Sequence, residues 1–308
     1  MLSRMFREDR YKGDFMEPVN PDRKSDKVLE KSQGTGLSNG VNPYYPVPTK
    51  IKKIIPETSN ITTFILEGMP IKFEAGQFAE LTVPGVGEAP FTPSSSPYAE
   101  NMEFTIMQVG RVTTALFNLK QGDIVGVRGP FGKPYPLKDF KGKEIYIVGG
   151  GVGFAPLRSL FLALLHNIKD YKKIYIRYGA RTPDDIVYRR LIPDWQKING
   201  VDIVLTVDVG DESWKDTVGV VTVLLDKIPV NVKTSPTIAC GPPIMLKFVT
   251  RRLVEAGFTH SNIYLSMESN MSCGFGKCNH CRLGEIYVCK DGPVLTWEDV
   301  KDIEEPFI

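Results

Sequence analysis

Glu144-Ile145-Tyr146-Ile147-Val148-Gly149-Gly150-Gly151-Val152-Gly153-Phe154-Ala155-Pro156 is the stretch on which the architecture turns. An apolar run of strand length meets a crowd of glycines, and a proline follows where a helix would begin. The spacing predicts a strand over 144–148, a tight turn, and a helix over 156–169, with Pro156 in a first turn where its missing N–H is no loss. Glycine removes the Cβ that would keep a pyrophosphate away from backbone N–H groups at a helix N-terminus. From Gly151 the turn reads G-x-G-x-x-P, with Pro156 where the dinucleotide fingerprint G-x-G-x-x-G has its third glycine. Taken alone, it suits a phosphate cradle and an ordinary tight turn of an α/β domain equally.

Downstream the rhythm continues. Strands are expected over 173–178, 202–207, 237–240 and 262–266, with helices over 184–191 and 244–256 and Gly257 as the cap after the last. Such alternation implies a parallel sheet with helices on its faces. Upstream the pattern differs. Segments 50–55, 62–67, 77–83, 102–109 and 123–128 read as short strands, punctuated by Pro56, Gly68, Pro70, Gly76, Pro84 and Gly122, which argues for a small barrel. Residues 129–134, Gly-Pro-Phe-Gly-Lys-Pro, close that block as a rigid turn.

The chain has 308 residues, 42% of them hydrophobic and 24% charged, enough for about two packed domains. Its 38 basic and 36 acidic residues leave a net charge of +2, too small a field to draw a nucleic acid or an anionic membrane. Residues 1–40 mix both charge signs without apolar periodicity. Arg4, Arg7, Glu8, Asp9 and Arg10 exclude a signal-peptide core. The longest apolar run, 160–165, falls far short of the ~20 residues that span a bilayer, so the expectation is a cytoplasmic protein. The leader is expected to be disordered, or else an arm that orders on a partner subunit.

Four of the five cysteines lie within seventeen residues as Cys273-x4-Cys278-x2-Cys281-x7-Cys289. This is the plant-type spacing of a [2Fe–2S] cluster held by four thiolates. Gly274, Gly276 and the turn around Asn279 let the loop wrap with N–H groups toward sulfur. The alternative is a structural zinc knuckle, although such sites favour paired C-x2-C units and only Cys278 and Cys281 have that separation. His280, inside the loop, is expected to face solvent.

The succession of barrel, Gly-Gly-Gly-Val-Gly-Phe-Ala-Pro turn and Cys240-Gly241-Pro242-Pro243 with Met245 resembles the ferredoxin-NADP reductase superfamily over residues 46–266. The resemblance implies a flavin-binding β-barrel (44–140), an NAD(P)-binding α/β domain with a parallel sheet (141–264) and a small C-terminal [2Fe–2S] module (265–308), preceded by a tail (1–43). In the segment 89–95 the resemblance places Phe91 against the flavin ring and the Thr92 hydroxyl near its reactive nitrogen, with Pro90 and Ser95 beside them. Ala89 stands where an arginine commonly grips the flavin pyrophosphate, a departure that keeps FMN, or no flavin, open beside FAD. The family's second flavin segment corresponds to Val109, Gly110, Arg111, Val112, Thr113 and Thr114, which would hold the phosphates. Phe91 as plain barrel core and Thr113 as a helix cap are the alternatives. For NAD(P)H the implied residues are Gly149, Gly150, Gly151, Val152, Gly153 and Pro156, then Gly179, Ala180 and Arg181, then Asp208, and finally Cys240, Gly241, Pro242 and Met245. Thr92 and Cys240 are the catalytic candidates; a merely buried thiol is the alternative for Cys240.

The C-terminal cysteines narrow the resemblance to three groups: the electron-transfer subunit of dihydroorotate dehydrogenase B, the gamma subunit of cytoplasmic (sulf)hydrogenases and the NADH-oxidising subunit of anaerobic sulfite reductase. Residues 42–48 and Glu88-Ala89-Pro90-Phe91 are most similar to the last two. The implied activity is exchange of a hydride between NAD(P)H and FAD, with single electrons leaving or arriving through the cluster to or from a partner redox subunit, a NiFe hydrogenase foremost. A chain with only His166, His260 and His280 as histidines, and no hydrolase motif, fits such chemistry. A stand-alone NAD(P)H reductase and a non-enzymatic zinc-binding module are the rival readings.

Overall fold

The computed structural model describes residues 42–307. Both readings of residues 1–40 lie outside the described residues. Six strands form the first domain: β1 (Val47–Pro56), β2 (Ile61–Leu66), β3 (Phe78–Val83), β4 (Gly87–Phe91), β5 (Glu103–Met107) and β6 (Ile124–Phe131), with α1 (Arg111–Phe117) between the last two. They pair antiparallel in the order β4-β3-β6-β1-β2-β5. The expected barrel is thus a curled half-barrel whose edges, β4 and β5, do not pair. Inward residues Ile51, Phe64, Leu66, Leu81, Phe104 and Val127 pack its core with Leu116 of α1. Strand β4 was not anticipated, because Gly, Ala and Pro are poor strand formers. An edge tolerates them, since Pro90 there owes no ladder N–H on its open side. The anticipated turn at 129–134 also begins later, because β6 continues through Pro130 to Phe131 and a register shift opposite Phe78 and Glu80 absorbs the irregularity.

The second domain contains β7 (Glu144–Gly150), α2 (Phe154–His166), β8 (Lys173–Ala180), α3 (Ile192–Trp195), β9 (Val201–Val207), β10 (Thr217–Val218), β11 (Thr237–Cys240), α4 (Pro243–Glu255) and β12 (Ile263–Ser266). The two-residue period of β7 divides its side chains between two cores. Ile145 and Ile147 join Leu157, Leu160 and Phe161 of α2 on one face. Tyr146 and Val148 join Leu246, Val249 and Leu253 of α4 on the other. Past the cysteines come the hairpin β13 (Arg282–Leu283) and β14 (Ile286–Tyr287), then α5 (Val288–Asp291), β15 (Val294–Thr296) and α6 (Trp297–Val300). The sheet order is β10-β9-β8-β7-β11-β12-β15, and β15 lies antiparallel to β12. The sheet expected to be parallel is therefore completed by an antiparallel strand from the cysteine-rich segment.

The helix anticipated over 184–191 does not form. A 3-10 turn at Pro183–Asp185 gives way to an irregular stretch in which Tyr188 takes φ 60°. Tertiary contacts outweigh helix propensity here. The Tyr188 hydroxyl donates to Thr105 Oγ1 at 2.6 Å, and its N–H donates to Glu57 Oε2 at 3.2 Å, both on the half-barrel side. Beside it Arg158 of α2, 1% exposed, reaches Glu103 of β5 at 2.5 Å and the Ser94 carbonyl at 2.9 Å, with its guanidinium over the Tyr188 ring. Removing one partner of a buried ion pair leaves a charge without compensation and costs about 3–5 kcal/mol. Arg158→Met is expected to lower the unfolding free energy in urea by about that amount, and Arg158→Met combined with Glu103→Leu to recover most of the loss. Equal losses in the single and double variants would show that the pair itself contributes little.

Candidate active site and cluster loop

The glycines of the turn divide by function. A Cβ on Gly150 would meet Met245 Sδ at 2.1 Å, and one on Gly153 would meet the Gly241 Cα at 2.6 Å and the Cys240 carbonyl at 2.7 Å. These two exist for packing. Gly149 is crowded by Phe154 and Leu157. Gly151 alone in the turn has φ +53° and open space where its Cβ would be, so only its backbone conformation calls for glycine. Its carbonyl accepts from Tyr178 Oη at 3.1 Å, and Tyr178 stacks on Phe154 with centroids 4.4 Å apart, which braces the turn from below.

Between half-barrel and sheet lies a cavity of about 860 Å³. Pro90, Phe91, Thr92, Val109 and Thr113 line it from the half-barrel, and Val152, Gly153, Pro156 and Cys240 from the sheet. The remaining expected residues are not on its wall. Ser95 is buried behind the wall, its hydroxyl accepting the Glu103 N–H at 3.1 Å. Thr113 acts as the helix-cap alternative has it, its hydroxyl accepting from the Val109 and Gly110 N–H groups at 3.0 and 2.8 Å; Val112 and Thr114 follow on α1. Gly241 is held against Met245, and Pro242 opens α4. Gly179, Ala180 and Arg181 mark the C-terminal end of β8, and Asp208 that of β9, its N–H donating to the Ala180 carbonyl at 2.9 Å. Arg181 is 79% exposed and stands 3.6 Å from Asp185. Cys240 is both buried and on the cavity wall; burial, reinforced by Glu268, pushes its thiol up to about 12, so it is a neutral S–H at physiological pH.

The cavity also takes in Glu88 of the 88–91 motif and His280 of the cysteine loop, together with residues that no motif announced: Thr105, Met107 and the run 266–272. The run follows β12, and the rule that ligands of α/β sheets sit beyond the carboxyl ends of strands is the signal that points to it. His280 is exposed as expected, yet it belongs to the rim, its Nδ1 2.8 Å from Ser272 Oγ.

Ser272 leads directly into the cysteine loop. Among the described residues no three His, Cys, Asp or Glu side chains converge on one metal-ion position. The thiols lie as two neighbouring pairs, Cys273 with Cys278 and Cys281 with Cys289. Backbone N–H groups aim at sulfur: Gly276 at Cys289 Sγ (3.0 Å), Lys277 at Cys273 Sγ (3.2 Å) and Cys289 at Cys281 Sγ (3.4 Å). Burial alone would raise the Cys273 thiol, but the N–H groups of Phe275, Lys277 and Cys278 bring it down to about 6. A loop that stabilises thiolate in this way suits a cationic metal centre.

Residues 147–251 match the oxidoreductase NAD-binding domain family, and residues 268–301 match the iron–sulfur cluster binding domain of dihydroorotate dehydrogenase B. The chain is 34% identical over 282 residues to sulfhydrogenase 2 subunit gamma of Pyrococcus furiosus, covering 84% of this chain and 97% of the relative. It is likewise 34% identical over 263 residues to the probable dihydroorotate dehydrogenase B electron transfer subunit of Methanocaldococcus jannaschii, covering 84% and 93%. This chain belongs to that family of electron-transfer subunits. Among solved structures, that of an NADH-dependent reduced ferredoxin-NADP oxidoreductase superposes with a TM-score of 0.67 at 26% identity, over 81% of this chain and 88% of that one. As a member of the family, the chain is an NAD(P)H-dependent oxidoreductase subunit that works with a flavin and an iron–sulfur cluster. The zinc-module reading gives way to the iron–sulfur match.

The cavity and the loop of this electron-transfer subunit fit those groups. The cavity has Phe91 on its half-barrel wall and Val152 and Gly153 on its sheet wall, and the thiols already have backbone N–H partners in place. Beneath the loop is a charge cluster with two buried members, Arg128 and Glu80, that sequence reasoning missed. Arg128 of β6 donates to both carboxylate oxygens of Glu88, and Glu80 Oε1 stands 3.9 Å from it with neither carboxylate oxygen hydrogen-bonded. One guanidinium faces two carboxyls and engages one. Burial, opposed only in part by Arg128, raises Glu80 from 4.5 to about 8.

Because the Glu80 proton is held more tightly in the folded chain, its stabilising effect is complete below pH about 4.5 and is lost as pH rises toward about 8. Glu80→Gln should therefore gain stability relative to the wild type between about pH 5 and pH 8 in denaturant titrations; parallel curves would show that Glu80 does not carry that proton. At the turn, Gly153→Ala forces two backbones apart and should cost about 1–3 kcal/mol or more, together with flavin retention. Gly151→Ala meets only the left-handed penalty of about 1–2 kcal/mol. Equal retention of flavin in both variants would refute the division of the turn into packing and open positions.

Proposed function

We propose that this chain carries electrons between NAD(P)H, FAD and a [2Fe–2S] cluster to or from a partner redox subunit, most simply a NiFe hydrogenase. The observation that carries this reading is the continuity of cavity and cluster loop: Ser272 lines the cavity, and Cys273, the next residue, is the first of the four thiols. When bound, a flavin converts two-electron hydride exchange into the one-electron steps that an iron–sulfur cluster can accept. Phe91 and Pro90 then form the platform for the ring, and the Thr92 hydroxyl supplies a hydrogen bond at its edge. Gly151 leaves backbone room for the nicotinamide nucleotide, and the neutral Cys240 thiol closes the wall beside it without placing an anion against a departing hydride. Arg111, exposed at the start of α1, is the cation available to the flavin phosphates where Ala89 replaces the usual arginine. Gly149, Gly150, Gly179, Ala180, Arg181 and Asp208 shape the nucleotide side of the same site.

The C-x4-C-x2-C spacing, with backbone N–H groups aimed at sulfur, supports a binuclear cluster that the four thiolates would hold. Two sulfhydrogenase gamma relatives, 34% and 36% identical and spanned to 97% and 93% of their length, support the hydrogenase partner. The dihydroorotate dehydrogenase relatives support the second reading, the electron-transfer subunit of that enzyme. Five free thiols and a nicotinamide substrate favour a cytoplasmic setting. Among the described residues no helix is long and apolar enough to cross a membrane.

The test is isolation of the native complex with subunits identified and iron, nickel and flavin counted. Nickel in a co-purifying subunit supports the hydrogenase assignment, whereas a dihydroorotate-oxidising partner replaces it with the second reading. A chain that purifies alone and reduces physiological acceptors at full rate overturns the subunit role. In the same preparation Cys278→Ala should abolish the cluster's visible and magnetic-resonance signals and leave reduction of flavin by NAD(P)H largely intact.

A further inference from the structure

Arg128 has no part in the mechanism so far, yet it is the most heavily engaged cation near the cysteines. It is 4% exposed in the middle of the half-barrel, on β6. Nε donates to Glu88 Oε2 at 2.8 Å, and one terminal nitrogen donates to Glu88 Oε1. That second nitrogen also donates to the Ser272 carbonyl at 2.8 Å, and the other terminal nitrogen donates to the Cys273 carbonyl at 2.7 Å and to the Pro43 carbonyl at 3.5 Å. Glu88 lines the flavin cavity, and Cys273 is a cluster thiol. A single side chain thus ties the flavin-side rim to the first cysteine of the loop. The link is reinforced by Phe131, whose ring lies under the guanidinium at 5.2 Å and against Gly274, where a Cβ would be 2.6 Å from it. The charged groups facing Arg128 are Glu80 and Glu88, with the Cys273 thiol beyond them.

We infer that Arg128 is a positioning residue that holds the Cys273 end of the cluster loop against the flavin cavity and, as a fixed buried cation, raises the reduction potential of the cluster. Reduction adds negative charge to a cluster. A guanidinium bonded to the carbonyl of a ligating residue stabilises the reduced form, and at 4% exposure its own charge is little screened by water. Glu88 works in the opposite sense, and the neutral Glu80 adds no charge. This rests on the flavin and iron–sulfur reading of the chain.

The experiment is redox titration of the flavin- and iron-loaded complex, followed by magnetic resonance of the reduced cluster, for the wild type, Arg128→Gln, Arg128→Lys, Glu80→Gln and Glu80→Gln/Glu88→Gln. The Glu80→Gln background prevents that carboxyl from taking up the charge that Glu88 loses. Arg128→Gln should lower the cluster potential and slow flavin-to-cluster transfer by about tenfold to a hundredfold, the range typical of lost outer contacts at metal sites. Arg128→Lys should restore the potential. The double carboxyl variant should raise it relative to Glu80→Gln. Shifts of opposite sign with lysine rescue are a signature that mere loss of structure does not produce. An unchanged potential in iron-loaded Arg128→Gln, or a shift that lysine fails to rescue, overturns the role of Arg128 and leaves the cofactor reading standing. If Arg128→Gln fails to retain its iron, the lysine and double carboxyl variants decide: no lysine rescue, or no rise in potential, overturns the inference. A wild-type complex that contains neither iron nor flavin overturns both.

Discussion

Within the sheet domain two backbones touch at the end of the glycine-rich turn. The peptide at Gly153 lies so close to Gly241 and the Cys240 carbonyl that no side chain fits between them. That contact joins the carboxyl ends of β7 and β11, neighbours in the sheet, and directs α2 away over the sheet face. Once α2 leaves at that point, Arg158 reaches the half-barrel and meets Glu103, and Tyr188 is drawn in to cover the pair. The interdomain seam is therefore polar and specific: buried charges are tolerated there only because each finds a partner across it.

The cysteine-rich segment is not an appendage in the mechanical sense. Its strand β15 extends the sheet by pairing with β12, and Lys133 N–H donates to the Gly292 carbonyl at 2.6 Å on the half-barrel side. Arg128 then grips the carbonyls at the start of the loop. The loop is thus held by both large domains, as short-range electron transfer from a flavin requires: a one-electron carrier is useful only when its distance from the donor is kept fixed. The reduction potential of such a centre depends on N–H groups and charges outside the ligand set, and here these come from the loop backbone and from a strand far away in the chain.

Much of this was legible in the residues. The apolar run at 144–148, the glycine-rich turn with Pro156 behind it and the alternation of strand and helix segments declared the sheet, because secondary structure follows local pattern. The cysteine spacing declared a metal loop for the same reason, since a ligand set on one short loop is a local feature. Legibility failed where distant partners decide. The 184–191 segment has the composition of a helix, yet Tyr188 bonds across the seam and pulls it out of one. The glycines of the turn looked alike, but Gly150 and Gly153 answer to Met245 and Gly241, far along the chain, while Gly151 faces open space. No pattern marked Glu80 or Arg128, because isolated charged residues in a strand look like surface until their burial is seen.

By itself, then, the sequence determined the alternation of strand and helix around the glycine-rich turn, the cysteine set and the family resemblance, all of which are written in spacings of a few residues. Only the tertiary structure decided that the half-barrel stays open, that β15 completes the sheet and that the cavity runs from Phe91 to Ser272. It alone made Arg128 the link between flavin rim and cluster. The physical reason is common to all of these: they are contacts between residues remote in the chain, and a linear pattern carries no record of which remote groups meet.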